Sequence, residues 1–272
     1  MTNCILCRAP TSGEPEEHIA PEGLIGDLEF VSSDPARPAA ERLVLSEDEV
    51  CKKCNTKHTA RLDEHLQKQL AFIKPFLNRL GTKRGRPATA TLPGFYARGR
   101  SNGPQLVFNA ADIAINQGEN VIRPSKGQAG AVTSSFDEGS ATIRVSYSMK
   151  FTKTFIRALH KIAFELLCKH KGPDYVLHER FDGLRGYILR GKGDRWVAVL
   201  RGDVAAPAMW QPGFQLHPDR NDNWIVEVKL GSVYRIDLSH DSDAIRRVAH
   251  NEEAREQWQI FPVAVQIPPP AT

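Results

Sequence analysis

Apolar residues recur at helical spacing in two stretches of this chain and alternate with polar ones in several others. Leu62, Leu66, Leu70, Ile73 and Leu77 fall every three or four residues, which predicts a helix over residues 54–80. Pro75 sits inside that pattern and predicts a kink or a break. Phe155, Leu159, Ile162 and Leu166 form a second stripe and predict a helix over 152–171. Cys168 continues the apolar pattern there and reads as a small buried side chain. Residues 88–150 are rich in β-branched residues, glycines and turn signals, which predict short strands, as in the alternating segment Thr142–Tyr147. Further strands are expected at 196–200, 224–230, 233–238 and 258–265, with a helix at 242–256 between the last two. The apolar run at 28–31 is followed by the turn-rich segment 32–35 and by Arg42-Leu-Val-Leu45. Pro268, Pro269 and Pro270 predict an extended or disordered tail. The fold class is α+β, with a unit over 1–80, a linker over 81–90 and a larger α+β domain over 91–267.

Composition changes this picture little. A 272-residue chain that is 41 % hydrophobic and 25 % charged matches an ordinary globular protein. No apolar run approaches the roughly 18 residues that a membrane span requires. The segment Met1-Thr-Asn-Cys-Ile-Leu-Cys7 is too short and too polar for a secretory signal, so a cytoplasmic location is expected. Thirty-six Lys plus Arg against 32 Asp plus Glu give a net charge of +4. That excess permits a nucleic-acid partner without requiring one.

The cysteines change it more. Four of the five form the pairs Cys4-x-x-Cys7 and Cys51-x-x-Cys54. In a reducing compartment such pairs bind zinc or do redox work more often than they form structural bridges, and two separated pairs with basic neighbours suit a four-thiolate cage better than redox work. Two short loops with two thiolates each supply the four tetrahedral ligands of a structural Zn2+. The intervening residues, 8–50, are more than a small zinc finger holds, so an additional element lies between the pairs. That insert carries Glu17-His18, and Asn55 follows the second pair directly.

The tract Glu16-Glu-His-Ile-Ala-Pro-Glu-Gly23, followed by Val50-Cys-Lys-Lys-Cys-Asn55, resembles the zinc-containing HNH endonucleases of the E-H-I-x-P…C-x-x-C-N branch. The resemblance covers residues 1–70 and includes Lys57 and the Leu62-Asp63 pair. It implies a zinc-stapled ββα-metal unit that hydrolyses phosphodiester bonds in DNA. His18 would be the general base that activates water. Glu17 and Asn55 would hold a catalytic divalent cation, Mg2+ or Mn2+, against the scissile phosphate. An imidazole that titrates near neutrality suits the first role, and a hard cation on oxygen ligands suits the charge that builds on the phosphate. The sequence departs from the family in one place. The middle asparagine, which orients the base, is replaced by Ser46-Glu-Asp-Glu-Val50; Ser46 or a backbone carbonyl would have to serve. His58, on the following helix, is a reserve candidate, and His65 reads as a surface residue.

Lys52, Lys53, Lys57 and Arg61 cluster at the second knuckle and the start of its helix, where cationic side chains suit phosphate. Lys83-Arg84-Gly85-Arg86-Pro87 is similar to the core of an AT-hook, with Arg84 and Arg86 for the minor groove; a basic linker is the plainer reading. The tracts Lys161-Ile-Ala-Phe-Glu165 and Leu184-Arg-Gly-Tyr-Ile188 resemble segments that trail HNH units, which names no activity. Trp196, Trp210, Trp224 and Trp258 either line a pocket or pack in the core. His160, Asp182 and Asp237 show no recognisable spacing. The expected partner is DNA and the expected activity is an HNH endonuclease, in restriction or phage defence. No membrane partner is expected, and homo-oligomerisation is left open. The alternatives are a non-catalytic zinc module that binds nucleic acid and a ligand-gated sensor.

Overall fold

The structure, a computed structural model, describes residues 2–25, 29–30, 41–70, 151–199, 212–218 and 223–239 in full. It also gives the backbone of 31–32, 94–97, 113–116, 121–124, 132–137, 142–147, 200 and 258–261. The chain begins with β1 (Thr2–Asn3), β2 (Pro10–Thr11), β3 (Glu17–His18) and the short α1 (Glu22–Ile25). β4 (Glu29–Ser32), β5 (Glu41–Arg42) and β6 (Val44–Leu45) lead to a wide turn, Cys54–Thr59, that continues into α2 (Ala60–Gln69). Then come β7 (Gly94–Ala97), β8 (Ile113–Asn116), β9 (Val121–Pro124), β10 (Val132–Asp137) and β11 (Thr142–Tyr147). The long α3 (Lys153–Lys171), α4 (Pro173–Val176) and α5 (Asp182–Arg190) precede β12 (Val197–Leu200), β13 (Gly213–Pro218), β14 (Trp224–Lys229), β15 (Val233–Asp237) and β16 (Trp258–Phe261).

The protein is therefore a mixed helix-and-sheet fold, as the pattern predicts. Most expected strands and the 152–171 helix appear within a residue or so of their expected ends. The 54–80 helix is described only to Leu70, whose backbone already leaves helical geometry. Ile73, Pro75 and Leu77, the linker at 81–90, the helix at 242–256 and the proline tail lie outside the described residues.

Strand order shows what periodicity did not. An antiparallel sheet runs β16-β12-β15-β14-β13-β7-β4-β5. Its last two members, β4 and β5, come from the insert between the cysteine pairs. The amino-terminal segment thus contributes strands to the same sheet as residues 197–261. β8 to β11 form a separate four-stranded antiparallel sheet, and β3 pairs with β6.

α3 holds these parts together. From Phe155 to Cys168 every residue except Arg157 is buried, the signature of a helix enclosed on all sides. It packs on α2, β6, α4, α5, β14 and β15. Thr152 caps its start, the hydroxyl accepting from the Phe155 N–H at 3.2 Å. Gly172 ends it at φ 88°, a conformation glycine adopts without a Cβ penalty. One apolar cluster extends from Cys4 through α2 and α3 to Leu238. Trp224 belongs to it, only 4 % exposed, its indole N–H donating to the Tyr175 hydroxyl at 2.7 Å. For this tryptophan packing is the outcome.

His160 is fully enclosed within α3. Its Nδ1 lies 2.9 Å from the Ile156 carbonyl, and its Nε2 has no hydrogen-bond partner among the described residues. Burial, reinforced by the Arg195 cation, pulls its pKa down to about 3. Because the folded value is depressed, the unfolded chain takes up the proton first. His160 therefore contributes stability that is present above the unfolded value near 6.5 and lost as pH falls toward 3, at about 1.4 kcal/mol per pH unit. Urea midpoints of a His160→Phe variant should fall less steeply than those of the wild type between about pH 6 and 4. Parallel slopes would refute this.

Candidate metal centre and the charge cluster beside it

The first knuckle closes through Arg8 N–H to the Cys4 carbonyl and Cys4 N–H to the Ala9 carbonyl, both at 2.8 Å. Arg8 takes the left-handed conformation, φ 63°, that turns the chain back after the second cysteine. The knuckle is pinned to the segment before the second pair. Ile5 N–H donates to the Glu49 carbonyl at 2.9 Å, and the Thr11 hydroxyl donates to the Asp48 carbonyl at 2.6 Å. Glu14 ties both: its N–H donates to the Asp48 carboxylate at 2.8 Å, and its own carboxylate accepts from the Lys52 N–H at 3.0 Å. A carboxylate at the first turn of the helix suits its exposed N–H groups.

These contacts bring Cys4, Cys7, Cys51 and Cys54 together with all four sulfurs within 4.8 Å of one another. Cys7 and Cys51 are 3.5 Å apart. A tetrahedral Zn2+ with Zn–S bonds of 2.3 Å would space its sulfurs about 3.8 Å apart. The group can therefore hold a structural metal ion such as zinc. Its electrostatics favour the same conclusion. The Cys54 thiol, with backbone N–H groups, pulls Cys4 down to about 4, while burial pushes Cys7 up to about 11 and Cys4 pushes Cys54 up. Crowded sulfurs without a cation settle on one thiolate among thiols; a dication removes that conflict. Among the described residues no other group of three or more His, Cys, Asp or Glu side chains has metal-ligand spacing.

β3 and β6 form a short two-stranded antiparallel sheet, Glu17 opposite Leu45 and His18 opposite Val44. It lies ahead of the helical stretch 54–69, which opens with a wide turn. There the Asn55 carbonyl accepts both the Ala60 N–H, five residues on, and the Thr59 hydroxyl at 3.1 Å. Wide turns of this kind gather at functional sites. Asn55 and His58 are half-buried. His18 is half-buried too, and its Nε2 lies 3.5 Å from the Arg42 guanidinium. Arginine only donates, so Nε2 is the accepting nitrogen in this contact. The segment 46–50 holds the two knuckles together: Ser46 N–H donates to the Glu49 carboxylate at 2.7 Å. Arg42, not Ser46, is the side chain recorded against the His18 ring.

Glu17 points the other way, into the protein, and is 4 % exposed. There it meets Lys161 of α3, which is fully buried. The ammonium lies 2.8 Å from Glu17 Oε1, 2.9 and 3.1 Å from the Asp63 oxygens and 3.1 Å from the His18 carbonyl. An ammonium has three donors, and Glu17, Asp63 and the His18 carbonyl take all three. Glu165 stands 3.4 Å away, and neither of its oxygens has a hydrogen-bond partner among the described residues. Burial drives the Glu165 pKa well above the carboxylate range, outweighing Lys161. It raises Asp63 as well. Burial alone would lower Lys161, but Glu165, Asp63 and Glu17 more than reverse that, so the ammonium stays charged.

A divalent cation on Glu17 does not fit this arrangement. The oxygens surround Nζ at ammonium distances, and Mg2+ requires about 2.1 Å. A dication about 4 Å from an ammonium is opposed by roughly 8 kcal/mol at an effective dielectric constant near 20. Of the basic residues expected near DNA, Lys52, Lys53, Lys57 and Arg61 are exposed at the helix start. Arg84 and Arg86 lie outside the described residues. His65 is half-buried, and its Nε2 is 2.9 Å from the Thr152 hydroxyl that caps α3. Comparison with protein-family models, with curated proteins and with solved structures finds no match. The established feature of this region is the four-cysteine cluster.

Sequence reasoning missed Lys161 as the partner of Glu17, and Asp63 and Glu165 as the other carboxylates around the ammonium. One signal was present: a Lys and a Glu four apart inside the apolar stripe of α3.

The purified protein should carry one zinc per chain by elemental analysis, and Cys54→Ser should lose it together with thermal stability. Full occupancy in Cys54→Ser would contradict the site. Lys161→Met should lower stability by about 3–5 kcal/mol in urea, because it strands buried carboxylates. Glu165→Gln, which leaves the contacts of the ammonium with Glu17, Asp63 and the His18 carbonyl in place, should change it by less than about 1 kcal/mol. Equal losses would show that Glu165 is an ionised partner of Lys161.

Proposed function

We propose that the chain is a zinc-stapled DNA endonuclease of the HNH kind, with His18 as general base. The observation that carries this reading is the placement of His18. β3, paired with β6, carries its half-buried imidazole, and β6 leads into a helix that the cysteine cluster anchors. α1, β4 and β5 lie between the two paired strands in the chain, and a strand pair followed by a helix is what supports the resemblance. In the proposed reaction His18 Nε2 exchanges its 3.5 Å contact with Arg42 for a water molecule and takes a proton from it as the water oxygen attacks phosphorus. The bond to the 3′ oxygen breaks, leaving a 5′ phosphate and a 3′ hydroxyl. Lys52, Lys53, Lys57 and Arg61 supply exposed positive charge at the helix start, which suits a phosphate backbone. Mg2+ or Mn2+, where bound, stabilises charge on the phosphate; no step here is assigned to such an ion on Glu17.

One observation favours a second reading, a non-catalytic zinc module that binds nucleic acid. The carboxylate expected to hold the catalytic cation is committed to Lys161.

Plasmid DNA incubated with the wild type in Mg2+ or Mn2+ should be cut, and His18→Ala should reduce cutting by about 100-fold or more, the usual contribution of a general base. Binding without cutting in either metal would favour the second reading. Equal cutting by His18→Ala would remove His18 from the reaction.

A further inference from the structure

We infer that Lys161 is the resident cation of the Glu17–His18 site: its ammonium, delivered by α3, takes the place against Glu17 at which the HNH resemblance implies a divalent metal ion. Four observations support it. Nζ is buried and lies 2.8 Å from Glu17 Oε1 and 2.9 Å from Asp63 Oδ2. Its remaining donor goes to the His18 carbonyl at 3.1 Å, so one ammonium neutralises the acid and fixes the backbone of the base. The three donors are thereby used up, and Glu165, the next carboxylate, 3.4 Å away, has no hydrogen-bond partner among the described residues. Finally, Lys161 comes from the centre of a helix enclosed on all sides, so moving the ammonium out would require moving the core.

Lys161 is thus a positioning residue. It acts on His18 through the main chain and on Glu17 by direct contact, and it touches no substrate. Its meaning for catalysis rests on the nuclease reading; its occupancy of the site does not. If cutting requires a divalent ion, that ion is held by groups other than Glu17, with DNA phosphate oxygens the natural partners.

The test uses zinc-loaded protein. Free Mn2+ is followed by electron paramagnetic resonance as the wild type and Glu17→Gln are titrated. The two should bind Mn2+ alike. One Mn2+ per wild-type chain, weakened about tenfold or more by Glu17→Gln, the scale on which metal sites respond to lost partners, would overturn the inference. Should Glu17→Gln fail to fold, the wild type decides. The side-chain nitrogen resonance of Lys161 should be unmoved by millimolar Mg2+, and its displacement would overturn the inference equally. The two proposals fail separately. His18-dependent cutting with Glu17-dependent Mn2+ binding removes Lys161 and keeps the nuclease. Absent cutting with Glu17-independent Mn2+ binding does the reverse.

Discussion

A fully buried ammonium needs three acceptors, and where they come from determines how this protein is assembled. Lys161 rises from α3, and its partners arrive from β3, from the β3 main chain and from α2. No single segment could satisfy it. β3, α2 and the central helix must therefore close around Nζ together, since a desolvated charge without partners is worth several kcal/mol of instability. The apolar cluster from Cys4 to Leu238 supplies the general attraction between these parts. The ammonium fixes their register: sliding α3 by one turn would put Arg157 or Glu165 in the place of Lys161.

The four-cysteine cluster works differently. It joins residues distant in sequence through a locally built frame, with Glu14, Asp48 and Glu49 bracing the knuckles. Arg8 adds a strap to the far side, where its guanidinium lies 3.0 Å from Asp182 and donates to the Leu177 carbonyl at 2.8 Å. Both ions in this region, the metal that the sulfurs can hold and the ammonium of Lys161, are thus tied to the same helical body.

Much of this was legible in the sequence where chemistry is local. The cysteine spacing is local and strong, so the cluster was foreseen residue by residue. The α3 stripe was equally clear, since a helix buried on all sides still shows its apolar positions. The π-type turn at Asn55 was not, because it arises from the hydroxyl of Thr59 competing for carbonyls of its own helix. Nor was the pairing of β4 with β7, a contact between segments more than 60 positions apart that no short pattern records. Lys161 was the most instructive omission. A charged pair within an apolar stripe announces a buried ion, yet the stripe cannot say that its partners are Glu17 and Asp63.

Arg42 has two neighbours of different kinds. As part of β5 it pairs across from Glu29 at the end of the long sheet, and its guanidinium also reaches the His18 ring. A sheet of strands drawn from residues 29 to 261 and the imidazole carried by β3 consequently meet in one side chain. The margin of that sheet is also the wall of the histidine's surroundings. A partner that added a strand there would change the imidazole's company without touching it.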